Sequence, residues 1–262
     1  MKLILFLSLS LFLFSCKPSY IFETNSTKPS VIKDDKGFYT YENDTLKIVY
    51  TFWAKSGVLA FSFYNKLNVP LYINWKRSSF VYNENKQDFW REEAITKRTE
   101  VKVKRGLAQS GVANNAILPL VTLSSSASLL AGNDVTVIPE KITFLAPKSY
   151  IFKAKFSLFT NDWSNLQNGW NKGILQNPSN QKDQIKIKYL LLKEAESPIN
   201  FRNFITISTT EDFIKESYID NQFYVSKITE IQKSKTYKMI HENRRTVMVN
   251  IFEKPSSFFL ED

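Results

Sequence analysis

Apolar and polar residues alternate with a period of two along much of the chain beyond residue 34. In residues 46–52 every second side chain is apolar, and residues 58–64 repeat the pattern. Such a period is typical of β-strands that bury one face, because successive side chains point to opposite sides of a sheet. We therefore predict two consecutive strands that are joined by a turn at residues 55–57.

Further segments with strand character follow at short intervals and are separated by turn residues. They cover residues 69–75, 79–82, 87–90, 96–105, 135–138, 142–145, 150–159, 185–192, 201–208, 223–231 and 246–252. Helix signals are scarce, although Thr209 and Asp212 have the spacing of a capping box, which predicts a short helix over residues 211–217. We expect a mainly β fold, an antiparallel β-sandwich that is immunoglobulin-like or related, with long loop insertions and one or two short helices.

Two stretches interrupt the strand pattern. Residues 106–134 are rich in serine and other small residues and carry no charge until their end, and residues 161–184 are rich in Asn, Gln and Trp. We expect insertions into the domain near both stretches, the second with a short helix. The first stretch can be a lid, a partner-binding loop or a poorly ordered excursion, and the pattern leaves these alternatives open.

The first sixteen residues have a different character. Lys2 precedes a run of apolar residues and serines that ends at Ser15 and Cys16, the single cysteine of the chain. The run is too short to span a bilayer permanently, and it has the charged start and apolar centre of a secretory signal. Its end, residues 13–16, resembles the lipobox of bacterial lipoproteins, which implies that Cys16 is lipidated and becomes the new N-terminus. The alternative is an ordinary signal peptide with a chance cysteine near its cleavage site.

These patterns divide the chain into three parts. Residues 1–15 are predicted to be a lipoprotein signal peptide. Residues 16–33 are predicted to be the lipidated cysteine and a tether, because two Lys-Pro pairs and an Asn-Ser-Thr cluster leave little periodicity there. Residues 34–262 are then the β-sandwich domain.

The balance of charge is basic, with 35 lysine and arginine residues against 25 aspartate and glutamate residues. The lysines are spread along the chain rather than gathered in one block. Because an exported protein rarely meets nucleic acid, we expect no nucleic-acid partner. A positive surface suits anionic lipid or acidic polysaccharide better.

Side chains that usually carry catalysis or bind metals are few. His241 is the only histidine, predicted in a polar turn between two strands, and lipidation would occupy the only thiol. A hydrolytic triad needs an imidazole, and a zinc site needs several His or Cys ligands. We therefore expect no catalytic residue, no metal and no cofactor. The remaining enzymatic alternative is a carboxylate pair, since any two of the 25 acidic residues can meet in space.

Two aromatic residues and one threonine are candidate site residues. Trp163 and Trp170 flank an amide-rich stretch and can form a platform on which a sugar stacks, although the alternative is that both pack onto the sandwich. Thr45, in Asp-Thr-Leu, looks like the short acceptor pattern for O-glycosylation of exported Bacteroidota proteins. The alternative for Thr45 is a plain turn that enters a strand.

Beyond the lipobox, residues 64–83, 197–213 and 218–228 resemble uncharacterised lipoproteins of Bacteroidota. The resemblance implies a lipid-anchored protein of the cell envelope, with the outer membrane favoured, and a β-sandwich of unknown activity. We expect a non-catalytic module that is held to the membrane by its N-terminal lipid and binds a protein or glycan partner. The alternative is an envelope hydrolase that acts on polysaccharide or peptidoglycan through a carboxylate pair. Which face of the membrane the protein occupies stays open, because Lys17 follows Cys16 where surface-exposed members often carry acidic residues.

Overall fold

Antiparallel strands dominate the computed structural model, which describes residues 18–91, 95–97, 135–137, 140–159, 169–178, 180–242 and 245–261. The strands are β1 (Pro18–Ser26), β2 (Val31–Lys33), β3 (Tyr39–Glu42), β4 (Leu46–Thr51), β5 (Val58–Asn65), β6 (Leu71–Tyr82), β7 (Asn85–Asp88), β8 (Ile95–Lys97), β9 (Val135–Val137), β10 (Ile142–Leu145), β11 (Tyr150–Ser157), β12 (Asn171–Asn177), β13 (Asn180–Leu191), β14 (Asn200–Ser208), β15 (Glu216–Gln232), β16 (Tyr237–Glu242), β17 (Arg245–Asn250) and β18 (Ser257–Glu261). Two short 3₁₀ helices cover Glu194–Glu196 and Lys233–Lys235. The predicted mainly β, antiparallel class with few short helices is confirmed.

The strands form two large sheets with a core between them. The main sheet has the order β10-β6-β14-β15-β1-β18, with β7 beside β6 and the β12–β13 hairpin attached to β15. The second sheet has the order β11-β5-β4-β3-β2. Strand β15 is 17 residues long and pairs with β14 along its first half and with β13 and β1 along its second half. This long strand therefore connects the two ends of the main sheet.

Aromatic side chains fill the space between the two sheets. Phe52, which follows β4, lies edge-on to Phe201 of β14 and Phe223 of β15, with ring centroids 5.1 Å apart in both pairs. Trp75 of β6 is also buried in this main core. Each edge-to-face pair contributes about 0.5–1.5 kcal/mol beyond the area that it buries. The alternation seen in the sequence thus places the large rings of both sheets on facing sides.

One polar cluster crosses the main core. The side-chain amides of Asn203 on β14 and Asn221 on β15 donate hydrogen bonds to the Tyr50 hydroxyl on β4, at 3.2 and 2.8 Å. All three side chains are buried, and this burial raises the pKa of Tyr50 above its usual value. The cluster fixes how the two sheets face each other, because the donors and the acceptor come from different sheets.

The tether predicted over residues 16–33 is wrong from Pro18 onwards. Strand β1 lies inside the main sheet, between β15 and β18. Its Phe22 is fully buried and stacks on Phe258 with ring centroids 4.8 Å apart. The first Lys-Pro pair ends where β1 starts, a position at which proline is tolerated, and the second lies between β1 and β2. The folded domain therefore already includes β1 and β2, which precede residue 34.

A hairpin occupies much of the stretch where loops and a short helix were predicted. Strands β12 and β13 pair with each other across residues 171–189, and β13 continues along β15. Its Ile185 and Ile187 form a second, smaller core with Ile21 of β1 and Ile231 of β15. The loop prediction was wrong for residues 171–177 and 180–184, because lysines and amides on the exposed face obscured the alternation, whereas the strand predicted over residues 185–192 is confirmed by β13.

The helix predicted over residues 211–217 is absent from the structure. Residues 211–215 form turns and bends, and β15 already starts at Glu216. The Thr210 hydroxyl donates to the Asp212 carboxylate at 2.6 Å, which in turn accepts from the backbone of Ile214. These local bonds stabilise a tight turn rather than a helix N-terminus. The insertion predicted over residues 106–134 lies outside the described residues.

Candidate functional site

The described structure contains only some of the residues singled out in the sequence. Cys16 and Trp163 lie outside it. Trp170 is half-buried and packs against the main core, as its packing alternative requires. Thr45 is partly exposed in the turn between β3 and β4, where its backbone amide donates to the Asn43 side chain at 2.9 Å. The tryptophan platform is therefore not assembled by the described residues.

His241 does not lie in a turn. Its backbone belongs to β16 and pairs with Thr246 of β17. Within the described ranges, no three His, Cys, Asp or Glu side chains come together as metal ligands would. The same ranges hold no helix that is long and apolar enough to cross a membrane.

The structure assembles a different candidate on the main sheet, on the face that points away from the main core. We call it the outer strip. It consists of alternate residues of two neighbouring strands, namely Asn200, Arg202 and Phe204 of β14 and Tyr218, Asp220 and Gln222 of β15. Phe204 is paired with Asp220, and Arg202 with Gln222. The residues between them, such as Asn203 and Asn221, point into the core.

An exposed aromatic pair lies at one end of the outer strip. Tyr218 is 58% exposed and stacks on Phe204, with ring centroids 5.5 Å apart and planes 21° from parallel. The Tyr218 hydroxyl donates to Glu216 at 2.7 Å, and Glu216 also forms an ion pair with Arg77. These contacts hold the ring beside Phe204, while more than half of the Tyr218 side chain stays exposed to solvent.

Charged groups surround this aromatic pair. Arg202 forms an ion pair with Asp220 at 2.7 Å, and its guanidinium group lies 5.8 Å from the centre of the Phe204 ring. Lys28 reaches the same carboxylate at 3.6 Å. A carboxylate and a ring face therefore both hold the guanidinium group in place. Because the Arg202 side chain is already ordered, it loses less conformational entropy when a ligand binds.

A groove of about 720 Å³ continues the outer strip beyond Arg202. Its polar lining includes amides, carboxylates and a guanidinium group, from Asn83, Glu84, Glu194, Asn200, Arg202 and Gln222. Asn83 holds one wall in place, since its amide donates to the Pro198 carbonyl at 2.7 Å and its carbonyl oxygen accepts from the Asn200 backbone at 2.8 Å. The turn at Asn83 and Glu84 has positive φ values of 43° and 68°.

Two carboxyl groups line the groove, those of Glu84 and Glu194. Both side chains are exposed to solvent. Desolvation by surrounding protein atoms raises the pKa of a different carboxyl group, that of Glu253. Glu253 does not line this groove.

Taken together, the outer strip and its groove offer a flat aromatic face, several amides and a positioned guanidinium group. This combination suits a ligand with an apolar face and many hydroxyl groups. Sequence reasoning missed Phe204 and Tyr218. Phe204 lies in the strand predicted over residues 201–208, whereas Tyr218 lies between the helix predicted over residues 211–217 and the strand predicted over residues 223–231. Comparisons of the chain with protein-family models, with curated proteins and with solved structures found no match.

Proposed function

We propose that this protein is a lipid-anchored, non-catalytic module of the cell envelope that binds a glycan at the outer strip and the adjoining groove. The observation that carries the proposal is the Tyr218 ring, which is exposed, stacked on Phe204 and flanked by the amide-lined groove. A pyranose ring has an apolar C–H face that packs on an aromatic ring, and its hydroxyl groups hydrogen-bond to amides and guanidinium groups.

A glycan fits this surface better than a protein partner does. The aromatic pair is narrow, spanning two strands, and ion pairs of Arg202 and of Glu216 border it. Protein interfaces usually bury a broader patch whose centre is depleted of charge. A chain of sugar units that runs from the ring into the groove would use both the aromatic and the amide groups.

The proposed anchor is the lipid on Cys16, and the proposed location is the outer membrane. The support is the apolar run with its lipobox-like end, residues 13–16. Two or more acyl chains hold a protein stably in a bilayer, since each buried methylene contributes about 0.8 kcal/mol. An anchored module of this kind would keep the outer strip within reach of envelope polysaccharide.

The test is titration of the purified protein with fractionated envelope polysaccharides, comparing the wild type with Tyr218→Ala. We expect the variant to bind about tenfold more weakly, because it loses the stacking face. Tyr150→Ala is the matched control, since Tyr150 is 47% exposed on β11 of the second sheet, away from the outer strip. Equal affinity of wild type and Tyr218→Ala for every fraction would refute the glycan site.

Product analysis in the same samples separates the hydrolase alternative. We expect no new reducing ends after prolonged incubation of the protein with a polysaccharide that it binds. Release of oligosaccharides that is abolished by changing Glu84 or Glu194 to glutamine would instead establish a carboxylate-dependent enzyme.

A further inference from the structure

A second surface lies on the opposite face of the main sheet, near the start of β1. We call it the basic face, and it consists of Lys172 and Ile174 of β12, Lys186 and Lys188 of β13, and Pro18. Residues two apart in a strand point to the same side of the sheet. Lys188 therefore shares a side with the buried Leu190, and its partner Glu230 shares that side with Ile228 of the main core. The basic face therefore continues the core-facing side of the main sheet into solvent.

A change of register in β15 puts the two candidate surfaces on opposite faces. Glu23 of β1 pairs with Lys227 and the next residue, Thr24, pairs with Val225, so that Ser226 is an extra residue in β15. An extra residue of this kind exchanges the two faces of the strand beyond it. Tyr218 consequently faces away from the core, whereas Glu230 lies on the core side.

Like charges lie directly opposite each other on the basic face. Lys172 is the cross-strand partner of Lys188. Lys186 lies two residues before Lys188 in β13, on the same side. Like charges at paired positions are destabilising. Among the described residues, one ion pair offsets the repulsion between these lysines, that of Lys188 with Glu230 at 2.8 Å. The arrangement leaves a net positive charge that an anion would neutralise.

The basic face also has an apolar component. Ile174 is 61% exposed and is the cross-strand partner of Lys186. A shallow groove of about 1020 Å³ runs between these residues and Pro18. Neighbouring cationic and apolar groups on a flat surface match the headgroup region of a bilayer, where phosphates lie next to the acyl chains.

We propose that the basic face docks on the surface of a bilayer that contains anionic phospholipid, beside the lipid anchor. This inference rests on the proposed lipidation of Cys16. Pro18, which lines this groove, follows Cys16 by two residues, so the chain allows at most about 7 Å between the lipidated cysteine and Pro18. Three lysines of one flat face can meet several headgroups at once, and each contributes attraction to an anionic surface.

The test uses the full chain purified from membranes and reconstituted in two kinds of vesicle. One kind is phosphatidylcholine alone, and the other is equal parts of phosphatidylcholine and phosphatidylglycerol. An amine-reactive ester labels exposed lysines, and mass spectrometry measures the labelling of each site. We expect Lys172, Lys186 and Lys188 to be labelled at least about threefold less on the anionic vesicles. Lys36 and Lys141, which are exposed and lie outside the basic face, should be labelled equally on both.

Two variants and one soluble anion sharpen this test. In Lys172→Gln/Lys186→Gln, protection of Lys188 on anionic vesicles should be lost, whereas the matched control Lys36→Gln/Lys141→Gln should keep it. Equal labelling of the basic face on both kinds of vesicle would overturn the proposal, and so would equal protection by inorganic phosphate without vesicles. Association with the neutral vesicles reports the anchor alone, so a failed anchor is seen separately from a failed basic face.

Discussion

At the scale of single residues, the Tyr50 hydroxyl has a structural role that its ring alone does not explain. It accepts hydrogen bonds from Asn203 and Asn221 in the interior of the sandwich. A buried donor that loses its acceptor costs about 1–3 kcal/mol, which is more than a satisfied hydrogen bond contributes. The hydroxyl therefore specifies the alignment of β4 with β14 and β15 rather than merely filling space.

We expect Tyr50→Phe to lower the free energy of unfolding by about 2 kcal/mol, because two buried amides lose their acceptor while the ring packing is kept. Urea denaturation followed by far-ultraviolet circular dichroism measures this change. The exposed Tyr150 provides the control, since Tyr150→Phe should change stability by less than about 0.5 kcal/mol. Equal stabilities of the two variants would argue against the buried cluster.

At the scale of elements, the sequence predicted the strands with a clear local alternation, including β10 and β11 whose partners are distant, but it missed β1 and β12. The period in residues 46–52 and 58–64 identified β4 and β5, which pair through a short turn. Strand β1 instead pairs with residues near positions 230 and 260, and no local pattern reports such contacts. The lysines of β12 and β13 obscured that hairpin for a related reason, since its apolar face meets β1 and β15 only in the folded chain.

The placement of β1 predicts a large effect of Phe22→Ala. Removing this fully buried ring, which stacks on Phe258, should destabilise the protein by about 3–5 kcal/mol. Phe144, which is 54% exposed on β10, is the matched control, and Phe144→Ala should cost less than about 1 kcal/mol. If chemical denaturation gave similar stabilities for the two variants, residues 18–26 would behave as the tether that the sequence suggested.

At the scale of the whole molecule, two surfaces with different chemistry lie on opposite faces of the main sheet. The outer strip combines an aromatic pair with amides, whereas the basic face combines lysines with an exposed isoleucine. Docking of the basic face on a bilayer would therefore leave the outer strip free for a ligand. The protein would act as a short-range receptor that holds a glycan close to the membrane.

The sequence could not predict the outer strip, although it identified both of its strands in part. Residues Phe201 and Phe204 look alike in the sequence, yet one is buried in the core and the other lies on the outer face. Tyr218 lies next to Phe204 only because β14 and β15 pair in one particular register. Register depends on the whole sheet, so the aromatic pair becomes visible only in the structure.

The most direct test of the glycan-binding proposal is photo-crosslinking in intact cells from a benzophenone amino acid at position 218. The matched probe stands at position 150 on β11, where the native tyrosine is similarly exposed. The account predicts that the probe at position 218 captures a glycan, identified by its sugar composition after digestion of the protein, and that the probe at position 150 does not. Capture of the same material at both positions, or of protein alone at position 218, would contradict it.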